Sequence, residues 1–214
     1  MNPSHGSNAS WQTEATFRAL VEAIVPNMPD DGGVQAAGAV DTDIHQYMIW
    51  ELNHSLSLFM GFYLANIPLA CATAQMLNAG ASELLASGNA QPAFSFAPGG
   101  ECPFVSLSPF DRIRVLFMLE QLQVDLGRLP PPYKDDGGFV RFIVDYLNRG
   151  TMFGFYSEWS AYGSTRLRTP TERRLEYFPI SWRQVGYPGV VKGYRAFGGF
   201  LLTIKRNGGG SRDG

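Results

Sequence analysis

The stretch SPFDRIRVLFMLEQLQVDLG, from Ser108 to Gly127, carries signals for both ends of a helix. Ser108 reads as the N-cap. Pro109 reads as the first helical residue, where a missing N–H costs nothing, and Asp111 as the residue that closes a capping box. The apolar residues that follow predict a helix running to Leu126, with Gly127 as its stop. On either side of it the same kind of pattern recurs. Thr13 to Val25 predicts a helix in which Phe17, Leu20, Val21 and Ile24 share one face, ended by Pro26 and Pro29. A further helix is expected to start from a cap at Asp41 or Thr42 and to carry Ile44, Tyr47, Met48 and Leu52. Phe139 to Arg149 predicts a helix with Phe139, Phe142, Ile143, Tyr146 and Leu147 facing inward and Arg141, Asp145 and Arg149 on the other side. Gly150 ends or interrupts it, and TMFGFYSEWSAYG extends it as an aromatic-rich turn. No internal repeat and no alternating run long enough for a sheet core occurs. The expected fold is therefore all-α: a single irregular helical domain with long loops and an extended C-terminal arm. Residues 1–12 read as a disordered lead, 13–204 as the domain, with 163–204 as the arm, and 205–214 as a flexible tail.

Charged residues are 17% of the chain, below the usual quarter, so little charge is available to cover the surface. The net charge of −2 gives no global basic field for nucleic acid. The C-terminal third is locally basic. Cys71 and Cys102 form no metal or haem motif and read as two unrelated thiols. Between Glu51 and Glu83 there is no Asp, Glu, Lys or Arg. This stretch is long enough to span a bilayer, but Asn66, Pro68 and Gln75 interrupt it and no basic cluster flanks it. A buried or partner-facing helix, kinked at Pro68, is the favoured reading. Residues 86–107 read as a long Gly/Pro/Ser-rich loop, and LPPPYKDDGG as a rigid polar connector. The N-terminal residues show no signal peptide or twin-arginine leader. As written, the chain reads as cytoplasmic, with export only alongside a partner.

No dinucleotide fingerprint, P-loop, nucleophile elbow or HExxH motif is present. One metal-like spacing occurs, E-x-x-H at Glu51 and His54, without the second copy that a di-metal bundle uses. Ser157, Glu158 and His54 have none of the local sequence of an activated serine.

The segment FPISWRQVGYPGVVKGYRAFGGF, Phe178 to Phe200, has aromatic rings, basic side chains, glycines and prolines but no acidic residue. Arginine and aromatics supply large contact area and planar hydrogen bonding at protein interfaces. An internal strap packed on its own helices reads equally well from residue types alone.

Three pieces carry a resemblance: FRALVEAIVP (17–26), GAVDTDIHQYMIWELN (38–53) and YGSTR…WRQVGYPG (162–189). In order and spacing they resemble the gluconate 2-dehydrogenase subunit 3 family. The resemblance covers both ends and loosely the helical middle, but not residues 78–107. It implies a non-catalytic small subunit that binds, stabilises and helps mature a large FAD-dependent dehydrogenase of the glucose–methanol–choline type, acting on a sugar or another alcohol. The FAD sits in that partner, no cofactor is expected in this chain, and in many members a cytochrome c subunit takes the electrons. It implies no catalytic or metal residue here. It casts Tyr162, Arg166, Trp182, Arg183, Gly186, Tyr187, Pro188, Gly189 and Tyr194 as partner-binding, with Trp182 and Tyr187 as anchors. Membrane contact would be indirect at most. Two alternatives stay open: a stand-alone helical metal-dependent oxidoreductase using Glu51 and His54, and a peripheral membrane protein docking through residues 56–77.

Overall fold

A computed structural model of the chain describes residues 10–28, 37–56, 67–90 and 102–189. Tyr194, the lead before residue 10, the arm beyond 189, the tail and the middle of the charge-free stretch lie outside the described residues. The described residues form an all-helical body without strands. Its helices are α1 (Trp11–Ile24), α2 (Ile44–His54), α3 (Ala70–Ala86), the short α4 (Pro103–Ser106), α5 (Pro109–Glu120), α6 (Gly137–Tyr156) and the short α7 (Ile180–Gln184). Turns of 3-10 helix lie at Leu126–Arg128, Trp159–Thr165 and Pro170–Glu172.

Helix α1 is central and packs on α2, α3, α4, α5 and α6. Ser10 caps it by accepting from the Thr13 N–H, so the helix begins at Trp11, two residues before the predicted start at Thr13. Phe17, Leu20 and Val21 are fully buried and meet the core of the other helices. Arg112 of α5 ties that helix to its neighbours from inside: its guanidinium donates to Ala19 O (3.2 Å), Glu22 (2.6 Å) and Val105 O (3.0 Å). Those acceptors lie on α1 and α4, so one cation satisfies backbone carbonyls of two elements.

The Ser108 cap and Pro109 stand as the sequence reads, with Ser108 Oγ accepting from the Asp111 N–H. The helix, however, ends at Glu120 rather than Leu126. Leu122 takes a left-handed conformation (φ 56°) and turns the chain back, so that Val124 and Leu129 bury in the core. Gly137 makes the turn possible, since a Cβ there would lie 2.7 Å from Leu122 Cδ1. Gly127 falls in a 3-10 turn.

Other expectations shift for identifiable reasons. Neither Asp41 nor Thr42 caps α2. Thr42 bonds back to Gly38 O and Ala39 O, and Asp43 occupies the cap position without capping, because its carboxylate pairs with Arg166. Pro68 kinks no helix: α2 ends at His54, α3 begins at Ala70, and Asn53 Oδ1 accepts from the Ala70 N–H (3.0 Å). The end of the long loop holds α4, which puts Phe104 into the core. In the connector, Tyr133 is fully buried, bonded to Thr73 Oγ1 at 2.6 Å. Phe142, expected inward, is 37% exposed, whereas Ile143 and Leu147 are buried. Cys71 is exposed and Cys102 buried, and no disulfide joins them. Among the described residues no helix is long and apolar enough to cross a membrane.

Helix α6 does not stop at Gly150. It runs to Tyr156 because Gly150 and Gly154 let α2 come close. A Cβ on Gly150 would lie 3.1 Å from Met48 Cε, and one on Gly154 2.4 Å from Tyr47 Cδ1. Helical glycine costs about 1 kcal/mol relative to alanine, and the contact offsets it. Gly154→Ala is therefore expected to destabilise by about 1–3 kcal/mol through overpacking. Gly138→Ala, where a Cβ meets only Asp136 Oδ1 at 3.5 Å, should leave stability unchanged or raise it by up to about 1 kcal/mol. Urea denaturation of the two variants checks both.

His45 is fully buried on α2, and neither ring nitrogen has a hydrogen-bond partner. Glu14 Oε1 is 3.7 Å away, and Arg18, Asp43 and Arg166 also act on the ring. Burial first, then Arg18, holds its pKa below the ordinary 6.5. The unfolded chain therefore takes up a proton that the folded chain refuses. The stabilisation from neutral His45 is complete above that ordinary value and is lost as pH falls through it toward the lower folded value. Thermal melts between about pH 7.5 and 5.5 should show the midpoint falling, and His45→Leu should flatten the curve.

Candidate functional site

The end of α2, the last turns of α6 and the segment after it enclose a cleft of about 750 Å³. The close approach at Gly154 lays the Tyr47 ring on α6. Trp159 meets Tyr47 edge-on at 5.3 Å, and Trp50 lies 6.4 Å from Trp159. Trp159 is held from behind, its indole N–H donating to Asp43 O at 3.2 Å. Onto this aromatic floor the Pro170–Glu172 turn delivers Arg173. Its guanidinium carbon sits 4.3 Å from the Trp50 ring centre, 5.1 Å from Trp159 and 5.9 Å from Tyr162. Arg173 Nε donates to Arg168 O (3.2 Å), while Nη2 is buried without an acceptor.

Glu51 lies beside this cation without an ion pair and accepts from the Tyr146 hydroxyl at 3.2 Å. Burial pushes its pKa up, against the hydrogen bonds from Tyr146 and Ser55 and the charge of Arg173. Burial, and then Glu51, pushes the Tyr47 and Tyr146 phenols up, and burial with Glu158 does the same to Tyr162. At neutral pH these three phenols stay protonated. The arrangement offers flat aromatic faces, one cation and hydrogen-bonding groups. It offers no activated nucleophile: Ser157 Oγ donates to Gly154 O, Tyr162 binds Glu158, and His54 Nδ1 meets Trp50 O at 2.9 Å. His54 stacks on Trp50, and among the described residues no group of three or more His, Cys, Asp or Glu could hold a metal ion.

The predicted interface residues divide. Tyr162 and Trp182 both line the cleft. Trp182 is only 9% exposed, donates its indole N–H to Tyr156 O (2.7 Å), and is flanked edge-on by Phe178 and Tyr187. The W-x-x-x-G-Y-P-G run folds around it. Gly186 and Gly189 adopt positive φ (68° and 96°), and a Cβ on Gly189 would lie 3.1 Å from the Phe178 ring. Tyr187 is half-exposed on Trp182, and Arg183, Gly186 and Pro188 face solvent. Arg166 is bound internally to Asp43 and Gly163 O. Tyr194 lies outside the described residues. Sequence reading passed over Tyr47, Trp50, Trp159 and Arg173. The aromatic density of residues 153–162 was a signal for Trp159; Tyr47 and Trp50 lay on a predicted helix with nothing to mark them as site residues, and nothing local marked Arg173.

The chain matches no protein-family model, no curated protein and no solved structure. Fold and cleft together define an all-helical protein with an aromatic cleft, beside which residues 163–189 are fastened to the body.

Trp182→Ala should release the arm without melting the helical core. Limited trypsin digestion is expected to cut faster at Arg173, Arg174 and Arg183, while far-ultraviolet circular dichroism stays near wild type. Unchanged cleavage would mean that other contacts hold the arm.

Proposed function

We propose that the chain is a non-catalytic small subunit that binds and stabilises a larger partner, a flavin-dependent sugar or alcohol dehydrogenase. The partner's identity rests on the resemblance of residues 17–26, 38–53 and 162–189. The observation that carries the binding role is a band of exposed apolar side chains along the cleft rim and arm. Phe153 is 68% exposed, Val185 57%, and Met152, Tyr156, Ile180 and Tyr187 about two-fifths each. Met152, Phe153, Tyr156 and Trp182 share the cleft, and Tyr187 continues the band through its contact with Trp182. A contiguous apolar patch rimmed by charge marks an interaction surface. Residues 163–189 add three exposed arginines, Arg168, Arg174 and Arg183, and two exposed glutamates, Glu172 and Glu176, so an acidic partner face suits it. In this reading the FAD and the oxidation chemistry belong to the partner, a cytochrome c subunit is a further candidate member of the complex, and the chain contributes surface. The pair is exported together where it is exported at all.

The test is co-purification of the tagged chain from its native host, followed by an absorbance spectrum. A larger polypeptide with a flavin spectrum is expected. Phe153→Ser with Tyr187→Ser should reduce its recovery about tenfold or more, as loss of two interface aromatics does. A colourless monomer, or undiminished recovery with the double variant, would refute the reading.

A further inference from the structure

The cleft holds a feature that a docking surface for a protein partner does not call for. Arg173 is carried into it on a turn and set over the Trp50 ring, and its guanidinium is left under-used. Only Nε has an acceptor, Arg168 O. Nη1 makes no hydrogen bond among the described residues, and Nη2 is buried without one. None of the ion pairs among the described residues includes Arg173. A buried, unmatched donor on a charged group is costly, and this one stands beside a cleft that a ligand can enter. The walls beside it are flat rings: Tyr47, Trp159 and Tyr162.

We propose that this cleft is a binding site for a small organic monoanion, a carboxylate carried on a planar apolar body, with Arg173 receiving the carboxylate. The planar fork of a guanidinium matches the two oxygens of a carboxylate. The rings match a flat apolar body, through stacking or edge contacts. Its volume of about 750 Å³ lies within the range of small-molecule sites. The charge of the lining selects a monoanion over a phosphate dianion. One cation faces two carboxyl groups, Glu51 and Glu158, so a second negative charge on the ligand is opposed. The site is independent of the partner reading, since its occupant enters between rings that are already in place.

The test is isothermal titration calorimetry of the full chain with 2-naphthoate, with its neutral analogue 2-naphthamide and with inorganic phosphate. Naphthoate is expected to bind one to one. The amide should bind about tenfold or more weakly, the effect of losing a charge-assisted hydrogen-bond pair, and phosphate should not compete. Arg173→Met should lower naphthoate affinity by about the same factor at an unchanged melting temperature, and Arg173→Lys should recover part of it. Failure of naphthoate to bind, equal binding of acid and amide, or wild-type affinity in Arg173→Met would each overturn the proposal. The acid–amide comparison uses the unmodified chain, so it decides the matter even if Arg173→Met fails to fold.

Discussion

The contact on which the site depends is the one between two side chains of α2 and two bare positions of α6. Tyr47 and Met48 crowd the positions that Cβ atoms on Gly154 and Gly150 would take, at 2.4 and 3.1 Å. Close-packed interiors transmit such a constraint, because a neighbour can move only as far as its own neighbours allow. Here it passes outward from ring to ring. Tyr47 rests on α6, Trp159 meets Tyr47, Trp50 meets Trp159, and Arg173 lies on Trp50. The cleft is the far end of that stack. It is a product of helix spacing before it is a product of any polar group.

A second set of bonds holds the segment beyond α6, which has little regular structure to satisfy its backbone. Such a segment needs partners for its N–H and C=O groups from elsewhere. Thr165 Oγ1 donates to Arg174 O and accepts from the Arg174 N–H, and the Glu176 N–H reaches Ala161 O. Glu176 also accepts from the Ser164 N–H, and this with the Ser164 hydroxyl bond lowers its pKa. Asp43 contributes twice, pairing with Arg166 and accepting from the Trp159 indole, and gives up its capping of α2 to do so. Residues 163–189 are thus built into the body through side chains, and their apolar surplus faces outward. Of the segments that carry the family resemblance, residues 17–26 and 38–53 contribute to α1 and α2, which pack together. Residues 162–189 belong to the segment whose ordered turns pack on α2 and α6.

Helix positions were legible where the signal is local. Ser108 and Pro109 start α5 because a cap and a fixed φ need only their own neighbours. The inward faces of α1 and α6 were legible as periodicity, Phe17, Leu20 and Val21 in one and Ile143 and Leu147 in the other. Gly150 was misleading. A glycine reads as a stop in isolation, yet here the lost propensity is offset by a contact more than a hundred residues away in sequence. Leu122 misled in the opposite sense, since a leucine gives no warning of a left-handed turn. Half of the cleft was legible as aromatic density in residues 153–162. The resemblance cast Trp182 as an anchor for a partner, and the structure places it inside, bonded to Tyr156 O.

By itself, then, the sequence determined that this protein is helical, where several helices begin and which residues line its core, because caps and apolar periods act within one or two turns. Only the tertiary structure decided where α5 and α6 end, that Asp43 serves the arm rather than α2, and that Arg173 lies on Trp50 beside Glu51. Those outcomes depend on distances between elements far apart in the chain. Such distances are set by which side chains can share a volume, and no local pattern encodes that.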